Sequence, residues 1–89
     1  MPKKVLIVDD EETNRELFRQ ILEIKDVETI EVESGKKALK LLASEHPDLI
    51  LLDLFMADGD GLMVLQSVRG NAATKTMKLS AKNIATRST

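Results

Sequence analysis

Three carboxylates, Asp9, Asp10 and Asp53, stand immediately after the two most apolar stretches of the chain, Val5-Leu6-Ile7-Val8 and Leu49-Ile50-Leu51-Leu52. A short continuous apolar run that stops at a charge has the signature of a strand buried on both faces, the kind found in parallel sheets. In such a sheet the C-terminal ends of all strands lie along one edge, where open α/β sheets bind ligands. Carboxylates gathered there repel one another unless a cation is present. Oxygen donors with no His or Cys beside them select Mg2+ or a similar hard divalent ion. A solvated strand end or a helix cap accounts for a single Asp, but three at the ends of two buried runs point to a site. His46, the only histidine, lies at the far end of the third strand from this cluster and reads as a helix-terminal residue.

The elements that position these acids follow from periodicity. After the strand Lys4–Val8, Thr13-Asn14-Arg15-Glu16 has the spacing of a capping box, and Leu17, Phe18, Ile21 and Leu22 supply one helical face. From Val27 to Glu33 apolar and polar residues alternate, as in a half-exposed edge strand. Ser34 can cap a second helix with Ala38, Leu39, Leu41 and Leu42 buried and Lys36, Lys37 and Lys40 in water, ended by His46-Pro47. Past the strand Leu49–Leu52, Gly59-Asp60-Gly61 is turn chemistry. Asp60 is placed to cap a third helix that turns Leu62, Leu65 and Val68 inward and ends at Gly70-Asn71. Strand and helix alternating three times within 70 residues imply a parallel α/β sheet.

Composition narrows the function classes. A chain of 89 residues is one domain. The absence of Cys excludes a disulfide framework, a thiolate zinc site and a cysteine nucleophile, and one His excludes a multi-histidine metal site. No leader-like segment follows MPKK and no apolar run approaches the roughly 18 residues that span a bilayer, so a soluble, cytoplasmic protein without membrane contact is expected. Residues 1–68 carry 8 basic and 15 acidic groups, a net of −7, whereas residues 69–89 carry 5 basic groups and no acidic one. The basic residues Arg69, Lys75, Lys78, Lys82 and Arg87 are dispersed and lack aromatic neighbours for stacking, so no nucleic-acid partner is expected.

Val5-Leu6-Ile7-Val8-Asp9-Asp10-Glu11, Ser34-Gly35 opening a helix, Pro47-Asp48-Leu49-Ile50-Leu51-Leu52-Asp53-Leu54 and Asp60-Gly61 together resemble the receiver domain of bacterial two-component response regulators, from residue 3 to about 76. The resemblance implies a flavodoxin-like (CheY-like) doubly wound parallel sheet of order 2-1-3-4-5, incomplete here as 2-1-3-4 with the fifth strand missing, a fold for which this family is a standard example. It implies that Asp53 is the phosphoacceptor and that Asp10, Asp53 and the backbone carbonyl of Phe55 ligate Mg2+ directly, with Asp9 acting through water. A histidine kinase or phosphotransfer protein is then the implied partner. The chain would be an acceptor of phosphate on its own Asp53 rather than an enzyme. Haloacid dehalogenase-like phosphatases also place a nucleophilic Asp at a strand end, but they need a second Asp two residues on. Phe55 and Glu11 occupy those positions here.

Some features depart from the family pattern. Met56 is followed by Ala57 where the family has Pro, which leaves that loop less rigid. Thr76 to Ala81 resembles the fourth strand, with Ser80 the candidate for the hydroxyl that contacts the phosphoryl group. It arrives about three residues early, and Lys78 interrupts the apolar run. Residues 1–76 are thus expected to form a (βα)3 core, and residues 77–89 a short fourth strand and a basic tail. The 89 residues leave no room for a fifth strand, whose Lys the family uses to pair with the phosphoryl group. Lys82 is the nearest residue of that type but does not hold the family position. Two functions remain: a phosphoacceptor domain, or an interaction module that keeps the scaffold and metal site without switching. With one sheet face served by a single helix, a homo-oligomer is expected.

Overall fold

The computed structural model describes residues 3–54, 56 and 60–70, together with the backbone of 78–81. In chain order the elements are β1 (Lys4–Val8), α1 (Glu12–Ile24), β2 (Glu28–Val32), α2 (Gly35–Leu42), β3 (Leu49–Leu52), α3 (Asp60–Gly70) and β4 (Lys78–Ala81). The four strands form one sheet in the order β2-β1-β3-β4, and every pair is parallel. The alternating segment is the edge strand, and the two continuous apolar runs lie side by side in the middle. β4 pairs with β3, its Ala81 level with Leu52. Thr76 and Met77, expected at the start of this strand, lie outside the described residues.

One face of the sheet carries the larger core. Leu6 and Val8 of β1 and Ile50 and Leu52 of β3 pack with Ala38 of α2, Val64 and Val68 of α3, and Met56. Full burial of side chains of this size is worth about 1.5–3 kcal/mol each, so this cluster sets how α2 and α3 dock on the sheet. Leu62 was expected inward and is instead 53% exposed. The buried stripe of α3 runs Gly61, Val64, Val68, three and four residues apart, because Gly61 must face the backbone that follows β3.

The other face belongs to α1, which buries none of its residues completely. Phe18 and Leu22 are half-buried, whereas Leu17 and Ile21, expected beside them, are exposed, as is Ile24. Under this helix, at the end of the sheet away from the three acids, Lys3, Val5, Leu22, Val27, Asp48 and Leu49 line a hollow of about 360 Å3.

The helix ends differ in detail from the sequence reading. α1 begins at Glu12, and Glu11 at its start makes no side-chain cap, so Thr13 lies within the helix and the capping box does not form. The Asp9 carboxylate holds the Glu11 N–H at 3.0 Å, and Arg15 N–H reaches Glu11 O at 3.2 Å, which starts the helix before Thr13. At its other end Asp26 takes a φ of 58°. Asp26 N–H donates to Glu23 O and Val27 N–H to Leu22 O, a Schellman closure with Asp where Gly is usual. Ser34 Oγ does cap α2, accepting the Lys37 N–H at 3.2 Å. That helix ends at Leu42, four residues before His46, because Ser44 and Glu45 both donate to Leu41 O and tighten the last turn. Asp60 is the first residue of α3 rather than the residue before it.

The far edge of the sheet is pinned by Lys4, whose backbone N–H donates to Asp48 Oδ2 and whose ammonium donates to Glu45 Oε1 at 2.9 Å. The Glu45 bond raises the Lys4 pKa above the usual lysine value, so this pairing persists through neutral pH and is lost only as pH rises past it. Being partly exposed to solvent, which screens it, the pair orients this end of the sheet more than it stabilises the fold.

Candidate functional site

The site is built by register. Val8 and Leu52 are partners across β1 and β3, so Asp9 and Asp53 leave adjacent strands at the same level and Asp10 follows by one residue. Asp9 N–H continues the ladder to Val32 O at 3.2 Å, and Asp53 N–H to Val8 O at 3.0 Å. Each of the three residues offers a carboxylate oxygen within 4.8 Å of the others. Asp9 is fully buried, Asp53 is 4% exposed and Asp10 is exposed, so the cluster opens to solvent on the Asp10 side.

When ionised, charges at this separation repel by roughly 1–3.5 kcal/mol per pair, depending on the local dielectric. The Glu11 N–H donates to the Asp9 carboxylate and favours its charged form. A divalent cation bound among the three would offset such repulsion. The donors are all oxygen, the chemistry of Mg2+ rather than of zinc or copper.

The backbone is held as closely as the side chains. A Cβ on Gly61 would lie 2.2 Å from Asp53 O and 2.7 Å from Leu54 Cα, so the first turn of α3 rests directly on the peptide that carries Asp53. A Cβ on Gly35 would meet Asp60 Cβ at 2.6 Å, which brings the starts of α2 and α3 together on the same side. Arg15 of α1, a residue to which the sequence reading gave no role beyond a helical turn, donates from Nη1 to Asp9 O at 2.7 Å.

The other expected site residues stand as follows. Ser80 lies in β4 in register with Leu51, one position short of the strand end at the acidic edge. Phe55, Ala57 and Lys82 lie outside the described residues. His46 is exposed and precedes β3, at the opposite end of the sheet. Gly61 as the residue that seats α3 on Asp53 was not singled out beyond its turn role. Its signal was a glycine eight positions after the acid, at the start of an apolar helix.

A four-stranded parallel sheet with helices on both faces and three acids at the C-terminal ends of its two central strands defines a doubly wound α/β domain with an acidic edge. Residues 5–87 match the response regulator receiver domain, and the chain belongs to that family. It is 47% identical over 64 residues to the polar-differentiation response regulator DivK of Brucella ovis, an alignment covering 72% of this chain and 52% of that protein. The chain thus spans about half the length of the curated relatives it matches. Among solved structures, a putative response regulator from Chloroflexus aurantiacus superposes with a TM-score of 0.84 at 30% identity, over 89% of this chain and 65% of that one. The response regulator TrrA of Thermotoga maritima, solved in complex with Mg2+ and BeF, gives a TM-score of 0.74 at 37% identity, over 80% of this chain and 62% of that one. The fold is therefore flavodoxin-like, as the motifs implied.

Proposed function

We propose that this chain is a phosphoacceptor in a two-component phosphorelay, taking a phosphoryl group on Asp53 from a histidine kinase or phosphotransfer protein. The observation that carries this reading is the convergence of Asp9, Asp10 and Asp53 within 4.8 Å at the ends of two neighbouring strands. An Asp53 carboxylate oxygen attacks phosphorus as the bond from phosphorus to the donor's histidine nitrogen breaks. The product is an acyl phosphate, and the nitrogen leaves on the donor. Asp10, Asp53 and the backbone carbonyl of Phe55 would hold Mg2+, with Asp9 behind it. When bound, the ion screens the repulsion between carboxylate and phosphoryl oxygens and orients them for in-line transfer. Asp53, at a strand end and backed by α3, presents its oxygen without reorganisation. The protein is thereby a substrate of its partner rather than an enzyme on other molecules. A cytoplasmic setting suits such a relay, and among the described residues no helix is long and apolar enough to cross a membrane.

The test is intact-mass analysis after incubation with Mg2+ and a small phosphoryl donor such as acetyl phosphate. A single phosphoryl adduct is expected on the wild type and none on Asp53→Asn. An adduct that persists in Asp53→Asn refutes the assignment.

A specific observation also favours self-association. Leu17, Ile21 and Ile24 lie one turn apart along α1 and are 52%, 44% and 86% exposed, an apolar stripe on the outer side of the helix. A homo-oligomer formed over this face is the expected state of the 89-residue chain. Light scattering should give a mass above the 9.9 kDa of one chain, and Ile21→Lys with Ile24→Lys should return it to a monomer. A monomeric wild type would overturn this reading.

A further inference from the structure

Arg15 reaches across the β1–α1 turn to the backbone of the acidic cluster without touching any of its carboxylates. Its guanidinium donates from Nη1 to Asp9 O at 2.7 Å, and its Nε lies 3.7 Å from Glu31 Oε1 on β2. The side chain is only 15% exposed. Arg19, one turn further along α1, holds the other oxygen of the same glutamate at 3.0 Å. Glu31 is therefore shared between two arginines, and the one nearer the site also donates from Nη1 to the Asp9 carbonyl.

That carbonyl belongs to the peptide joining Asp9 to Asp10. Asp9 is already fixed at its N–H by Val32 O and at its side chain by the Glu11 N–H. With the carbonyl also held, rotation of the peptide plane is opposed, which biases the direction in which the chain leaves for Asp10. Asp10 is the exposed member of the cluster, the one whose position packing decides least.

We propose that Arg15 is a positioning residue that aims Asp10 at the cation site by clamping the Asp9–Asp10 peptide between α1 and Glu31 of β2. This rests on the metal-site reading above and assigns to Arg15 a part of it. The charge of Arg15 makes the idea sharply testable, because charge and position have opposite effects. A cation near the site repels Mg2+, so if Arg15 acted only through its field, its removal would tighten binding. If it acts by holding the peptide, its removal weakens binding, on the scale of about tenfold typical of lost outer partners of a metal site.

The experiment is Mg2+ titration followed by NMR on the wild type, Arg15→Met, Arg15→Lys and Arg19→Met, with the Asp9 carbonyl carbon and Asp10 amide resonances recorded first in metal-free buffer. Arg15→Met is expected to shift both resonances and to bind Mg2+ about tenfold more weakly. Arg15→Lys, which keeps the charge and loses the planar fork, falls between it and the wild type. Arg19→Met removes the same charge from the same glutamate without touching Asp9, and should bind as well as the wild type or slightly better. Unchanged or tighter binding in Arg15→Met overturns the proposal. Should Arg15→Met fail to fold, Arg15→Lys decides: wild-type resonances and affinity there overturn it. If the wild type binds no Mg2+, the metal-site reading fails by itself. The metal-free resonances still decide whether Arg15 holds the peptide.

Discussion

Asp10→Ala is expected to remove measurable Mg2+ binding while leaving the protein as stable as the wild type or more so, and Asp9→Ala to weaken binding and destabilise the fold. The two acids are neighbours in sequence and opposites in environment. Asp9 is fully buried and its Oδ1 accepts the Glu11 N–H where α1 starts. Truncating it forfeits a hydrogen bond to a charged group, worth about 1.5–3 kcal/mol, although relief of repulsion from Asp53 and Asp10 returns part of that. Asp10 is exposed, so its removal relieves repulsion at little structural cost. If Asp10 is a direct oxygen donor, as proposed, the loss of affinity should exceed the roughly 10–100-fold typical of an outer partner. NMR titration and urea unfolding followed by circular dichroism measure the two effects. Indole or phenol fluorescence cannot, because the chain has neither Trp nor Tyr. Retained binding in Asp10→Ala, or a stability loss in it matching that of Asp9→Ala, would show that the roles are misassigned.

Gly61→Ala is expected to be among the most damaging single-methyl changes in the chain. The new Cβ would stand 2.2 Å from Asp53 O, 2.7 Å from Leu54 Cα and 3.0 Å from Asp53 C, all backbone atoms that no rotamer change can move aside. Either α3 lifts from the sheet, opening the contacts of Val64 and Val68 with Leu52 and Ile50, or the Asp53 peptide is displaced from the cluster. Overpacking of this kind costs about 1–3 kcal/mol where side chains can yield, and here only backbone can. A loss of about 3 kcal/mol or more in urea unfolding is expected, together with weaker Mg2+ binding in the folded fraction. Gly70→Ala is the matched control: nothing lies within 4 Å of its Cβ, and its effect should be within about 1 kcal/mol of zero. A Gly61→Ala protein as stable as the wild type would mean that α3 does not bear on Asp53.

The strands and the acids were legible because each is a local fact that the sheet only repeats. Val5 to Val8 and Leu49 to Leu52 are apolar at every position, which only a doubly covered strand requires. The alternation of Thr29, Ile30, Glu31 and Val32 marks a half-exposed strand, which in a doubly covered parallel sheet fits the edge. Once the sheet is parallel, Asp9, Asp10 and Asp53 must share one end of it, so the cluster follows from chain order and handedness without any knowledge of packing.

Tertiary structure decided what depends on which neighbour arrives first. Thr13 to Glu16 had the pattern of a capping box, yet the Asp9 carboxylate took the Glu11 N–H and started α1 earlier. Leu62 and Leu17 fitted an apolar stripe as well as their neighbours did. The close seat of Gly61 on Asp53 turned α3 so that Val64 and Val68 went inward and Leu62 outward, and α1 lies on the sheet so that Phe18 and Leu22 are covered and Leu17 and Ile21 are not. Arg15 carried no signal at all, since its partners are a carbonyl six residues back and a glutamate on another strand. The sequence by itself determined which residues form the buried strands and which acids share their ends, because periodicity and strand direction are properties of the chain. How the helices turn, and how the acidic turn is held, depended on contacts between residues distant in the chain, and these exist only once the sheet has formed.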